Sequence, residues 1–325
     1  MKKILVSGAS GIVGYGILRS LRKANQQLQL IGTSTYDDSV AQGFCDIFEL
    51  APPTDDISYI DWLCATISKH QVDLIIPGIE IDLYKWIDHV TEIERHGAQA
   101  VLNRCELVRL CKDKWRFYEN LRAADMPWVI DSSLDNSFET LESQFGLPFL
   151  LKPRRGFGSK GIVRVDNAET FQQYRQDIGP LLMAQPIVGN VDEEFTTSAF
   201  CDGRGGYYAS MTLRRKLSKD GYTDKAEVVT GDQFGDVLFS LCQHFSPIGP
   251  TNFQFRTCSD GVKLLEINPR VSSSTSIRAA FGYNESAMAV DFFLLGKPPT
   301  PPDIRLGRAV RYVDEHIFYD NSLHL

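Results

Sequence analysis

The stretch that most narrows what this chain can fold into is Lys263-Leu264-Leu265-Glu266-Ile267-Asn268-Pro269-Arg270. A β-strand sends alternate side chains to opposite faces. Glu266, Asn268 and Arg270 are therefore expected to line one side, with Leu265 and Ile267 turned to a core. Proline cannot donate to a ladder, so the strand ends or becomes an edge at Pro269. Upstream, Asn252-Phe253-Gln254-Phe255 alternates in the same way, and Cys258-Ser259-Asp260-Gly261 between the two is a turn signal. The two strands should pair as a hairpin, with Asn252 and Gln254 sharing a face with Glu266 and Asn268. One polar strand face is ordinarily just solvated, whereas two paired faces backed by large apolar residues have the makings of a site. An acid, amides and an arginine in a row suit a hard divalent cation beside a polyphosphate, with oxygen ligands for the metal and a fork of donors for the phosphate.

At 325 residues, 43% apolar and 23% charged, the chain has enough material for a large core and two or three domains. A net charge of −7 speaks against a general nucleic-acid binder, which needs a basic stripe. No apolar run approaches the length of a membrane span. Met1-Lys2-Lys3 followed by apolar residues has the look of a signal peptide. However, Gly8, Gly11, Gly14 and Gly16 interrupt it and no clean small-residue cleavage site follows, so it reads as a first strand. Cysteines 45, 64, 105, 111, 201, 242 and 258 form no CxxC and read as the reduced thiols of a cytoplasmic protein. The six histidines show no metal-binding spacing.

In the N-terminal third, strands over 3–6, 28–31, 73–77 and 100–102 alternate with helical patterns, which implies a parallel, doubly wound sheet. The loop Gly8-Ala9-Ser10-Gly11-Ile12-Val13-Gly14 sits at a strand-to-helix turn, where it either binds phosphate or simply lets the helix pack on the sheet. Packing is the better reading. The second strand ends in Gly32-Thr33-Ser34 rather than an acid, and no Tyr-x-x-x-Lys pair occurs. The loop over 77–82 is a candidate for acceptor contact.

Residues 106–125 read as one helix closed by Pro127. A strand over 148–153 ends at Lys152, which must find an anion or solvent. The glycine loop over 154–161 and a strand over 162–165 follow, a strand–loop–strand order that is not a Walker A motif. Further strands are expected over 181–188 and 193–200, a basic loop over 213–225, a core helix over 287–295 and a last strand over 308–313. Hydroxyls at 272–276 lead into a helix on which Arg278 is placed for a substrate carboxylate.

Taken in order, Asp113-Lys114, Lys152-Pro153 with its glycine loop, Gln185-Pro186-Ile187-Val188-Gly189, Glu194-Phe195-Thr196, Asn252-Phe253-Gln254 and Glu266-Ile267-Asn268-Pro269-Arg270 resemble the motif series of the ATP-grasp superfamily. The likeness is strongest to the synthetase domains of carbamoyl-phosphate synthase large chains and covers about residues 105–295. The preceding residues resemble the Rossmann-like domain found before the ATP-grasp unit in that branch. The large chain carries two such units, so a chain of 325 residues resembles the stand-alone carboxylate–amine ligases of the branch.

The resemblance implies an α/β and α+β protein. A Rossmann-like pre-ATP-grasp domain over 1–108 is followed by a two-lobed ATP-grasp domain, with the N-lobe and its Gly-rich loop over 109–182 and the C-lobe and metal site over 183–325. It also implies ATP-dependent joining of a carboxylate and an amine through an acyl phosphate, giving ADP and phosphate, with Mg²⁺ or Mn²⁺. Lys114 and Lys152 would hold the nucleotide phosphates, under a mobile loop of Gly156, Phe157, Gly158 and Ser159; the serine stands where glycine is commoner. Gln185, Pro186, Ile187 and Val188 would form the hinge that reads adenine, with Glu194 on the nucleotide side. Gln254, Glu266 and Asn268 would be the metal ligands, supported by Asn252; Gln254 is neutral where many relatives carry an acid, which weakens one metal site. Arg270 and Lys152 would stabilise the transferring phosphate. Arg215 and Lys225 are candidates to hold the acceptor carboxylate or acyl phosphate, against the plainer reading of a solvated charge run. The implied partners are a small-molecule carboxylate and an amine, without nucleic acid or membrane, and with room for a homodimer. Two alternatives stay open: an NAD(P)-binding oxidoreductase using the N-terminal glycine loop, and a non-catalytic nucleotide-binding protein.

Overall fold

The computed structural model describes residues 1–24, 27–156 and 160–318. Three sheets organise them. The first is parallel throughout, with strands β1 (Lys2–Val6), β2 (Leu28–Ser34), β3 (Ile47–Leu50), β4 (Leu74–Ile76) and β5 (Gln99–Ala100) in the order β3-β2-β1-β4-β5. Alternation along these strands feeds two cores. Ile4, Val6, Leu30 and Ile76 meet the helix Ile12–Lys23, while Leu5, Ile31 and Ile75 meet the helices Tyr59–His70 and Glu80–Arg95 on the other face.

The second sheet is antiparallel, with β6 (Phe149–Pro153) between β7 (Val163–Val165) and β8 (Leu182–Pro186). It has a core of its own under the helices Phe138–Phe145 and Ala168–Tyr174, centred on Phe138, Phe149 and Phe171. The third sheet is antiparallel and six-stranded: β9 (Glu194–Asp202), β10 (Tyr207–Leu217), β11 (Thr223–Val229), β12 (Ile248–Cys258), β13 (Gly261–Asn268) and β14 (Arg308–Val310), ordered β13-β12-β9-β10-β11-β14. Phe195, Phe253, Phe255, Leu264 and Ile267 on one of its faces pack on the helix Gly235–Phe245 and on Phe117 and Leu121.

The first and third sheets are joined by a shared core. Ile17, Leu18 and Leu21 lie in one apolar cluster with Ile277, Met288, Val290 and Phe200. Asn284 Nδ2 donates to the Ser20 carbonyl at 2.7 Å across the same junction.

The structure departs from the sequence expectations in four places. The helix expected over 106–125 is two, Cys105–Cys111 and Lys114–Ala123, because Asp113 leaves helical geometry to cap the second, accepting from the Trp115 and Arg116 amides. The basic loop expected over 213–225 is for the most part strand, since β10 and β11 pair from Thr212↔Val229 to Leu217↔Thr223. The core helix over 287–295 is an α-helical turn, Glu285–Ala289, continued as a π-helical one, Val290–Leu294. The last strand stops at Val310 rather than 313.

The N-terminal glycines serve packing. Gly8 has φ +52°, and a Cβ at Gly14 would stand 2.4 Å from the Gly8 carbonyl oxygen. A Cβ at Gly78 would stand 2.1 Å from the Ser7 carbonyl oxygen and 2.7 Å from the Gly14 Cα. These obstacles are backbone and cannot rotate away. Gly78→Ala should therefore destabilise the fold by about 1–3 kcal/mol, the usual cost of overpacking. A thermal melt reads this, and a variant melting with the parent would show that the junction has room.

Candidate active site

The three sheets meet around a cleft of ≈490 Å³. Its floor is the β12–β13 hairpin, in the expected register: Asn252 opposite Asn268, and Gln254 opposite Glu266. One residue later the register slips, and Phe255 pairs with Leu264. This bulge leaves Leu265 without a partner. Leu264 and Ile267 are thus the buried pair, each 3% exposed, and Leu265 turns into the cleft instead of the core expected for it.

On the polar face, Asn268 Nδ2 donates to Glu266 Oε1 at 3.0 Å, and Arg270 Nη2 donates to Asn268 Oδ1 at 3.1 Å. Alternation thus brings Glu266, Asn268 and Arg270 together. Glu80, at the start of a helix of the first sheet, faces Arg270 at 3.5 Å. Burial would raise the Glu266 carboxyl, but Lys114, the Asn268 hydrogen bond, Arg215 and Arg270 outweigh it and hold the group below the usual carboxylate range. A carboxylate and an amide, both oxygen donors, fit a hard divalent cation.

Gln254 is placed differently from the expectation of an open metal ligand. Its Oε1 accepts from Arg215 Nη2 at 2.7 Å. The same guanidinium donates through Nε and Nη2 to Glu194 Oε1 at 3.2 and 3.0 Å, and Arg256 Nη2 reaches Glu194 Oε2 at 2.9 Å. Glu194, expected beside the nucleotide, is therefore clamped by two arginines. Arg215 and Glu194 side chains are 5% and 6% exposed. Removing Glu194 would strand the buried Arg215 charge, at a cost of about 3–5 kcal/mol, whereas removing Arg215 leaves Glu194 with Arg256. Arg256 was not singled out from sequence, although it continues the two-residue period of Asn252 and Gln254.

Above the floor, Asp113 ties two elements together. It caps the helix Lys114–Ala123 and also accepts from Arg154 Nε and Nη2 at 3.3 and 2.9 Å, at the end of β6. This fixes Lys114, whose Nζ donates to the Gly156 carbonyl at 2.8 Å. Lys152 lines the same wall. Burial pushes its ammonium down to about 8; Glu266 works against this, while Arg256 and Lys114 add to it. Gly156 has φ +119°, which favours glycine. Phe157, Gly158 and Ser159 lie outside the described residues. Lys160, on the far side of the loop, lines the cleft as well.

The other half of the cleft is apolar, walled by Leu150, Ile162, Val188 and Leu265 among others. Gln185 donates to Ser132 Oγ at 2.8 Å, and Pro186 and Val188 line the cleft. Ile187 does not; it is 37% exposed, pointing away as alternation requires. Gly189 has φ +61° and lies so close to β12 that a Cβ would meet the Thr257 carbonyl oxygen at 2.6 Å. That approach holds the hinge against the third sheet.

The two basic candidates of β10 and β11 separate by face. Arg215 stands opposite Ala226 and points in, whereas Lys225 stands opposite Lys216, is exposed and does not line the cleft. Arg278 does not reach a substrate either. It is fully buried, 3.6 Å from Glu285, and donates to Ser272 Oγ, Thr196 and Asn252 Oδ1. Asn252 supports the floor from below in this way.

Comparison with known proteins bears on the family and the fold. Residues 188–316 match a family described as ATP-grasp in the biosynthetic pathway with Ter operon. The chain is 20% identical over 318 residues to the carbamoyl phosphate synthase large chain of Thermotoga neapolitana, covering 87% of this chain but only 28% of that protein. The fold is similar to N5-carboxyaminoimidazole synthetase from Staphylococcus aureus complexed with ADP, with TM-score 0.73, 16% identity, and coverage of 93% of this chain and 80% of that one. It is equally similar to biotin carboxylase from Campylobacter jejuni in its β,γ-ATP complex, with TM-score 0.73, 14% identity, and coverage of 94% and 74%. The chain is thus similar in fold to these synthetases and carboxylases, and its residues 188–316 are similar to an ATP-grasp family.

Proposed function

We propose that the chain is an ATP-dependent carboxylate–amine ligase that forms an amide or peptide bond through an acyl phosphate and releases ADP and phosphate. The observation that carries this reading is the Glu266–Asn268–Arg270 face set opposite Lys114 and Lys152 across one cleft, beside an apolar slot suited to a flat base. In this reading residues 1–108 supply the acceptor side, 109–182 the cover over the phosphates and 183–325 the metal floor.

A carboxylate attacking a triphosphate brings two anions together, so the site must supply positive charge where negative charge accumulates. Glu266 and Asn268 would hold the divalent ion, Mg²⁺ or Mn²⁺, which when bound neutralises phosphate oxygens. Lys114 and Lys152 take the phosphates from the β6 side. Arg270, held by Asn268 Oδ1 and the Val271 carbonyl at 3.1 Å and by Glu80 at 3.5 Å, would turn from the rim to the transferred group. Val188 and Leu265 enclose the base, and Glu80, Tyr222 and Ser273 surround the space left for the acceptor. No protein nucleophile is required, in keeping with cysteines that are free and scattered among the described residues.

A phosphate-release screen over carboxylates and amines with Mg²⁺-ATP tests the reading. Turnover should need both acceptors and a divalent ion, and the nucleotide product should be ADP. AMP with pyrophosphate would show adenylation instead.

Lys152 gives a pH dependence whose sign is fixed. With its ammonium at about 8 in the free protein, it is charged below that pH and loses the proton above it. Phosphates binding beside it favour the charged form and raise its value. MgADP affinity should therefore be level at neutral pH and fall as pH rises through about 8, by up to tenfold per unit. Calorimetry on either side of that value reads the fall, together with proton uptake on the alkaline side. Lys152→Ala should bind more weakly with a flat profile, and a parent-like profile would place Lys152 outside the phosphate site.

Glu266→Gln keeps the volume of the side chain and removes the only carboxylate of the β12–β13 floor. Turnover should drop at least about 100-fold, the size of losing one preorganised electrostatic group. The melting temperature should stay near that of the parent. Near-normal turnover would remove the hairpin from the metal site.

A further inference from the structure

The β12–β13 floor carries three oxygen-bearing side chains able to hold a metal, Gln254, Glu266 and Asn268. They are not equally available. Gln254 has one oxygen, and Arg215 Nη2 sits on it at 2.7 Å. A magnesium ion would approach that oxygen to about 2.0–2.1 Å. Taking the other lone pair of that oxygen, it would stand beside the guanidinium and face its charge in a site shielded from solvent, where repulsion is strong.

Arg215 is not free to yield. Its Nε and Nη2 both hold Glu194 Oε1, and its side chain is 5% exposed. Moving it away would leave Glu194 with Arg256 alone. Arg270 is the contrast. It lies at the rim with its side chain 17% exposed, on Asn268 Oδ1 and the Val271 carbonyl at 3.1 Å and Glu80 at 3.5 Å, with no buried carboxylate among the described residues fixing it. A ligand can draw it off and leave Asn268 and Glu266 to an ion.

Resting on the ligase reading above, we propose that this site takes a single divalent ion, on Glu266 and Asn268, and that the Arg215 guanidinium, fixed by Glu194, supplies beside Gln254 the positive charge that a second ion would supply. Arg215 is then a positioning and charge-supplying residue built into the floor. The enzyme needs metal only as the complex with ATP and gains nothing from further free Mg²⁺.

The test is a count of bound Mn²⁺. The full chain is saturated with β,γ-imido-ATP, and Mn²⁺ is measured by equilibrium dialysis with electron paramagnetic resonance of the free ion. The parent should hold one Mn²⁺ per bound nucleotide. Arg215→Met leaves Glu194 Oε1 and Gln254 Oε1 side by side without that cation and should hold two. Two ions on the parent, or one on a folded Arg215→Met, overturns the proposal while leaving the ligase reading standing. Failure of the parent to bind the nucleotide at all removes the ligase reading, and the proposal with it. Should Arg215→Met not fold, the parent decides by a second measurement. At fixed MgATP, its turnover should stay level as free Mg²⁺ is raised, and a rise of severalfold would show a second activating ion.

Discussion

The register between β12 and β13 is the constraint from which the chemistry of the cleft follows. Setting Gln254 opposite Glu266 and Asn252 opposite Asn268 puts four polar side chains on one face and one phenylalanine-rich cluster behind them. A slip of β13 by one residue would turn its side chains over, lifting Ile267 out of the core and driving Glu266 into it. The stack of Phe253, Phe255 and Phe234 under the hairpin resists that slip. Hydrophobic burial on one face thus holds charge in place on the other, with no polar contact having to do so alone.

Much of this was legible in the chain itself. The hairpin announced itself by strict alternation and an Asp-Gly turn, and the parallel sheet by apolar strands spaced by helical patterns. What escaped depended on partners distant in sequence. The bulge at Leu265 follows from how β12 meets β13 and from Trp128, whose carbonyl accepts the Leu264 amide at 2.8 Å. The β10–β11 hairpin is rich in Arg, Lys, Ser and Asp, a composition that reads as loop. Its strand character comes from pairing with β9 and β14, and only that pairing tells Arg215 from Lys225. The break at Asp113 was hidden because helical periodicity continues across it, and the cap is completed by Arg154 from 41 residues away. Arg278 was expected at a substrate carboxylate because it follows a run of hydroxyls at a helix start, where an anion can bind. Glu285, brought beside it by the turn between two short helices, made burial tolerable.

Cationic side chains outnumber carboxylates around the cleft, and their placement gives the surplus its meaning. Glu194 is satisfied by Arg215 and Arg256, so neither of those arginines is a loose charge. Lys114 is anchored at both ends, its amide on the Arg154 carbonyl and its Nζ on the Gly156 carbonyl. Lys152 sits deep enough for burial to act against its own charge, and Glu266 is the anion that partly restores it. In the proposed reaction, groups held in this way would leave little reorganisation to be done when negative charge develops between them.

The division of apolar cores indicates where such a site can open. The first and third sheets share the cluster around Ile17, Leu21, Ile277 and Met288, so parting them would expose a continuous core to water. The three-stranded sheet keeps its phenylalanines to itself. Its ties to the rest are largely polar and lie at its margin: Arg154 on Asp113, the Lys114 amide on the Arg154 carbonyl, and the backbone bridge between Ser133 and Ala184. Loosening these exposes little apolar surface, and apolar surface is what makes opening expensive. Lys152 and Gly156 belong to that sheet and to the loop that leaves it. The residues expected to grip phosphates are thus carried on the unit least bound to the core, and the residues expected to hold metal are carried on the unit most bound to it. A ligand that joins the two supplies the contacts that the apolar packing leaves out.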